Sequence, residues 1–154
     1  MDVRIRLDEL LEKIQRAYLE DQEAKGIKTT GKSAASVQRT INEIDGDLSG
    51  EVTGTGYMHQ QRFGRHPGKF PPIQMILEWI RAKGIKPRDG KTSEKSLAFL
   101  FARKIARSGT DIFQGKRPAL NIDDKINDYV GDFKAKVKKD LRDQAKIIFK
   151  GITF

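Results

Sequence analysis

A chain of 154 residues, 37% hydrophobic and 33% charged, is enough for one ordinary core but not comfortably for two, so it reads as one domain over 1–154 with ordered extensions. It has no cysteine, which excludes a disulfide framework, a thiolate metal site and a cysteine nucleophile; no apolar run nears the ~20 residues that cross a bilayer, and Met1 to Asp8 lack a signal-peptide core. The net charge of +9 is uneven, because residues 1–63 hold 9 Lys and Arg against 11 Asp and Glu whereas residues 64–154 hold 21 against 10. The expectation is a soluble protein made in a cytoplasm, without membrane contact. Its second part either faces something anionic, nucleic acid or an acidic protein surface, or is a solvated basic face.

In chain order, residues 4–24 place Leu7, Leu10, Leu11, Ile14 and Tyr18 on one side at three- and four-residue steps, an amphipathic helix. After a break at Lys25 to Gly31, Ser33 can cap a shorter helix carrying Val37, Ile41 and Ile44. From Asp45 to Gly56, four glycines in eleven residues argue against helix, each costing about 1 kcal/mol relative to Ala; short strands or a hairpin fit best. Tyr57 to Phe63 fits either an alternating strand or a helical turn, and the choice stays open.

The loop Phe63-Gly64-Arg65-His66-Pro67-Gly68-Lys69-Phe70-Pro71-Pro72 leads into Ile73, Ile76, Leu77 and Ile80 at helical spacing, ending at Lys83-Gly84. Ser93 can cap the next helix, through Arg107, with Leu97, Leu100, Phe101 and Ile105 as its apolar face. Residues 112–118 form a loop. Asn121 to Asp124 then open a last helix, 123–150, with Ile126, Val130, Phe133, Val137, Leu141, Ala145 and Ile148 in register. At about 1.5 Å per residue it reaches ~40 Å, longer than such a domain needs, so part of it packs on a partner or lies along the surface. The fold class is α+β: a small antiparallel sheet or hairpin packed by helices, a core of about 30–113, and long amphipathic helices at both ends.

Few residue groups invite catalysis. His59 and His66 match no metal spacing, and with no cysteine they need carboxylates to complete a site. The pairs Asp8/Glu9, Glu20/Asp21, Asp123/Asp124 and Asp140/Asp143 lie in helices or their first turns, mostly near Lys or Arg, which favours capping and surface pairing. Neither Gly54-Thr55-Gly56 nor Gly64 to Gly68 has phosphate-loop spacing, and no Gly-x-Ser-x-Gly elbow exists. No catalytic residue, cofactor or metal is expected.

The basic residues are more informative. Arg65, His66 and Lys69, with Arg62, share a loop with Phe63 and Phe70, a set suited to phosphate contact with an aromatic anchor, to protein docking, or to a surface loop with its aromatics tucked into the core. In the last helix, Lys134, Lys138, Lys139, Arg142 and Lys146 offer a basic face, either solvated or lining a DNA passage.

The order of parts from about Ile41 to Phe113 resembles the tail-completion or neck proteins of tailed bacteriophages. The resemblance lies in a Gly-broken β region ending in Tyr57 and Phe63-Gly64, then Pro71-Pro72, then Ile76-Leu77-Glu78-Trp79-Ile80-Arg81-Ala82-Lys83-Gly84, and finally Ala102-Arg103-Lys104-Ile105-Ala106-Arg107-Ser108-Gly109-Thr110. The chain departs from that pattern in its longer, more basic loop and its extended basic C-terminal helix. The resemblance implies a homo-oligomeric ring in the virion neck, between portal or adaptor and tail proteins, with DNA passing through its centre and meeting inward basic residues without sequence reading. It further implies that Trp79, Ile76 and Ile80 pack their helix on the sheet. The alternative is a free basic nucleic-acid-binding module with no catalytic activity.

Overall fold

The computed structural model describes residues 2–27 and 31–150, with side chains to residue 147. Among these the order is α1 (Val3–Ala24), α2 (Lys32–Ala35), β1 (Gln38–Ile44), β2 (Asp47–Thr53), α3 (Tyr57–Phe63), α4 (Ile73–Ala82), α5 (Glu94–Ser108) and α6 (Asp123–Lys150). Six helices and one two-stranded antiparallel sheet make an α+β fold with long amphipathic helices at both ends. No helix among the described residues is long and apolar enough to cross a membrane.

The chain forms two compact units. The first takes the described parts of Met1–Glu20, Val37–Thr53 and Ile122–Phe154, and the second takes the described parts of Asp21–Ser36 and Gly54–Asn121.

In the first unit, β1 and β2 pair with Ile44 opposite Asp47 and Ile41 opposite Gly50. The link is Asp45-Gly46, with φ of 53° and 87°. A two-residue hairpin turn of type I′ needs both central residues at positive φ, and Asp-Gly supplies them. Period-two alternation then puts Arg39, Ile41, Glu43, Leu48, Gly50 and Val52 on one face. That face lies on α1: a side chain at Gly50 would start 3.0 Å from methyls of Leu7 and Leu11, Arg39 pairs with Asp8 at 3.0 Å and Arg4 with Glu43 at 3.4 Å. Leu10, Leu11, Ala17, Val37 and Ile122 are buried. The exposed ion pairs add little energy and chiefly fix register.

The helix expected from Ser33 through Val37, Ile41 and Ile44 is replaced by one turn and a strand. Ser33 caps nothing: Gly31 holds the N-cap position at φ 75° with no side-chain cap. The Ser36 hydroxyl donates to the Ser33 carbonyl at 2.7 Å and accepts from the Thr55 N–H at 3.2 Å, closing the turn. Beyond it, β-branched Thr40, Ile41 and Ile44 run straight into the Asp45-Gly46 turn, so a pairing partner is one tight turn away. Tyr57 to Phe63, compatible with either structure in sequence, is helix.

In the second unit, α4 and α5 form a helical pair around Ile80, Leu77 and Ala98, with Ile73, Ile76, Ile85 and Leu97 packed against them. Ile80, Ala98 and Ala102 are fully buried. Ser93 caps α5 as its sequence indicates, accepting from the Ser96 N–H at 3.1 Å. On the α5 side the contact is made by Ala98, with Leu97 and Phe101 beside it, and Leu100, expected on the buried face, is exposed. Trp79 of α4 meets Phe101 of α5 edge-on at 5.6 Å.

The connection from α4 to α5 is tied by Asp89, which accepts from the Thr92 hydroxyl at 2.6 Å and the Thr92 N–H at 3.0 Å. These bonds, the hydroxyl first, hold the Asp89 carboxyl below its ordinary range. A depressed folded value means that the turn's contribution is complete above the ordinary aspartate pKa and is lost as pH falls through the depressed one. In a carboxyl-carbon NMR titration, Thr92→Val is expected to move the Asp89 midpoint up towards the ordinary value; an unchanged midpoint would assign the shift elsewhere.

Candidate functional site

The loop that carries the basic and aromatic residues is built on a joint between two helix ends. α3 stops at Gly64 (φ 73°, ψ −174°) and α5 at Gly109 (φ 76°, ψ −178°), both in backbone that only glycine adopts readily. Each glycine turns its chain out so that the next residues meet: the Arg65 N–H donates to the Thr110 hydroxyl at 2.9 Å, and the Thr110 N–H donates to the Arg65 carbonyl at 3.0 Å. A third tie, from the Gly68 N–H to the Ala106 carbonyl at 2.7 Å, pins the middle of the loop to the end of α5. Phe113 fills the space beside both glycines, so a methyl at Gly64 would fall 2.7 Å from its Cα and one at Gly109 would fall 2.6 Å from its ring. Phe63-Gly64 and Ala106 to Thr110, separate in the chain, are the two halves of one structure.

The pinned loop presents its aromatics outward. Phe63 is 51% exposed, Phe70 47% and Phe99, on the outer side of α5, 44%, with the Phe70 and Phe99 rings 5.6 Å apart. Lys69 and His66 are exposed, and the His66 ring lies 4.3 Å from that of Phe113. His59 sits one helical turn before Phe63, their rings 4.9 Å apart. Arg65 differs from its neighbours: it is half-buried, and its Nη2 donates to the carbonyls of Lys69 and Phe70 at 3.3 and 3.4 Å. It braces the loop from inside. Solvated aromatics beside cations are the composition of a protein-docking surface more than of a phosphate cradle, since aromatics and Arg dominate interface energetics.

Behind the joint, a cavity of about 730 Å³ is lined by Tyr57, Ile76, Trp79 and Ile105, with Lys104 and Arg117 among its polar residues. A buried amide network also belongs to this unit. Gln22, fully buried, donates to Gln61 Oε1 at 2.7 Å and to the Ser33 hydroxyl at 3.2 Å, and Gln61 donates to the same hydroxyl at 3.1 Å. Sequence reading misses this network because Gln22 sits at a polar-looking helix end. It also misses Phe99, whose neighbours Leu97, Leu100 and Phe101 make every side of α5 look apolar.

In the first unit, Lys134, Lys138, Lys139, Arg142 and Lys146 of α6 are all exposed. Lys146 lies 3.6 Å from Asp143, and among the described residues the other four meet no carboxylate within ion-pair distance. Lys134, Lys138 and Arg142 form one row a turn apart, beside an open groove lined by Phe133, Val137, Leu141 and Ala145. The acidic pairs serve structure: Asp140 meets Arg6 at 3.3 Å, Asp21 meets Lys25 at 2.7 Å, and Asp123 and Asp124 occupy the first turn of α6. The side chains of Ile148 and Lys150 lie outside the described residues.

Comparison with known protein families, with curated proteins and with solved structures finds no match to this chain.

Proposed function

We propose that this chain is a structural virion protein of the head-to-tail joint of a tailed bacteriophage, several copies forming a ring between portal or adaptor and tail proteins around the DNA passage, without catalytic activity. It would be made in the host cytoplasm and reside in the particle neck. The observation that carries this reading is the pinned loop. Two backbone ties, the Arg65 N–H bond to the Thr110 hydroxyl and the Arg65 brace hold Phe63, Lys69 and Phe70 outward, beside Phe99 of α5, before any partner arrives. A preordered apolar and cationic surface loses little entropy on docking, which is what an assembly element requires. Two pieces on which the neck-protein resemblance rests, Phe63-Gly64 and the stretch ending Gly109-Thr110, form the joint that creates this surface. The resemblance supplies the phage context, and the loop geometry supplies a physical use for its motifs.

The unpaired row on α6 supports a second reading, a free basic module that binds nucleic acid. The two differ in what isolated protein does. A ring component shows closed rings by negative-stain microscopy and binds duplex DNA weakly. A free module remains monomeric and binds duplex tightly, with a log–log salt slope of about −4.5 if all five α6 cations meet phosphates. Monomers with that steep slope, and no rings at any concentration, would overturn the connector reading.

A further inference from the structure

The apolar side of α6 has two flanks, and among the described residues only one has a neighbour in its own unit. On that flank, Lys13 of α1 lies over the Tyr129 ring at 5.9 Å and Arg6 of α1 pairs with Asp140 at 3.3 Å. The other flank is a shallow open groove on the surface of α6 itself, floored by Phe133, Val137, Leu141 and Ala145, where Leu141 is 54% exposed. Its rim is Lys134, Lys138 and Arg142, spaced ~6 Å apart, ~12 Å end to end. Such a rim repels an identical groove, so α6 does not pair with α6 of another copy along this face. It calls for an extended segment with an apolar anchor and anions at a matching step.

The β1–β2 hairpin carries one. Its face turned away from α1 holds Ile44, Asp47 and Glu51, with Asp45 at the turn. Ile44 is 69% exposed, and none of the three carboxylates has an ion-pair partner among the described residues. Asp47 and Glu51 are four strand residues apart, ~13 Å, close to the rim's ~12 Å. Arg39 and Glu43, the hairpin's other charges, point to the opposite face and are engaged by α1.

We infer that the hairpin of one copy docks in the α6 groove of the next, Ile44 entering the apolar floor and Asp45, Asp47 and Glu51 meeting the Lys134, Lys138 and Arg142 rim. The contact is heterologous, so it propagates from copy to copy; the inference rests on the ring reading for its closure and names the surfaces that would build it.

The test is sedimentation velocity of the full chain across the micromolar range, at ~50 and ~300 mM salt, which spans strong to weak screening. Wild type is expected to associate, at least about tenfold more weakly at the higher salt. K134E/K138E/R142E and D47K/E51K should each weaken association at least about tenfold, and an equimolar mixture of the two should restore it, because both contacts in an alternating chain are then complementary. If a multiple variant fails to fold by circular dichroism, K138E and E51K serve in its place. A monomeric wild type, variants that associate like wild type, or a mixture that fails to recover overturns the contact. So does an α6 variant that loses duplex DNA or anionic vesicle binding while self-association is unchanged. Closed rings that survive both charge reversals overturn the contact and leave the ring reading standing. Association that the reversals abolish and the mixture restores, but that ends at dimers or grows into open filaments, upholds the contact and overturns the ring.

Discussion

Replacing Ile80 by alanine is expected to lower the free energy of unfolding by about 3–4 kcal/mol, in the upper part of the range for buried Ile to Ala. Ile80 has no exposed surface and lies between Leu77 on its own helix and Ala98 on α5. The cost of such a truncation depends on how far neighbours collapse into the space. Ala98, facing it from α5, has only a methyl and cannot move inward without moving the α5 backbone, so most of the cavity persists. Trp79 is the single tryptophan and packs edge-on against Phe101 across the same helical pair, so its emission reports this unit directly during urea unfolding. Ile147→Ala, on the exposed side of α6, should change stability by no more than about 0.5 kcal/mol when urea unfolding is followed by far-UV circular dichroism, which reads the helices of both units. A loss below about 1 kcal/mol for Ile80→Ala would show that the helical pair does not govern the unit's stability.

The same residues show how far the fold can be read from sequence. The long helices are legible because Leu7, Leu10, Leu11, Ile14 and Tyr18, over about three turns, and the series from Ile126 to Ile148, over about six, fit a three-and-four spacing, too many coincidences for a strand. Ser93 is legible because its cap bond reaches only three residues. Val37, Ile41 and Ile44 fail for lack of length: steps of four and three over eight residues fit a helix by chance, and the Asp45-Gly46 dipeptide, a strong hairpin signal, decides the matter. Leu100 fails because hydropathy cannot see that α5 turns the small Ala98 towards α4. Of the candidate site, its location in the Phe63 to Pro72 loop was legible from composition, but its construction was not. The Arg65 to Thr110 joint spans 45 residues and uses backbone groups and a hydroxyl, which leave no periodic or compositional trace.

Gly64→Ala is expected to cost about 2–4 kcal/mol, the sum of forcing alanine into glycine-only backbone and of pressing a methyl against Phe113. The relief available is local. The chain can escape both penalties by releasing the Arg65–Thr110 joint, after which the Gly68 tie to Ala106 and the Arg65 brace have nothing to hold in place. The α4–α5 core does not depend on these bonds, so Trp79 emission should remain native while trypsin gains access at Arg65 and Lys69. Gly109→Ala opens the same joint from the other side, with its methyl meeting the Phe113 ring and the Arg65 carbonyl. Once either substitution has released the joint, the second has less left to break, and the double variant should lose less stability than the two single losses combined. Strict additivity would mean that the glycines serve separate turns, leaving Phe63 and Phe70 on an unanchored loop. In that case the entropy advantage assigned to the loop would vanish, and with it the physical argument that the loop is a ready-made docking element.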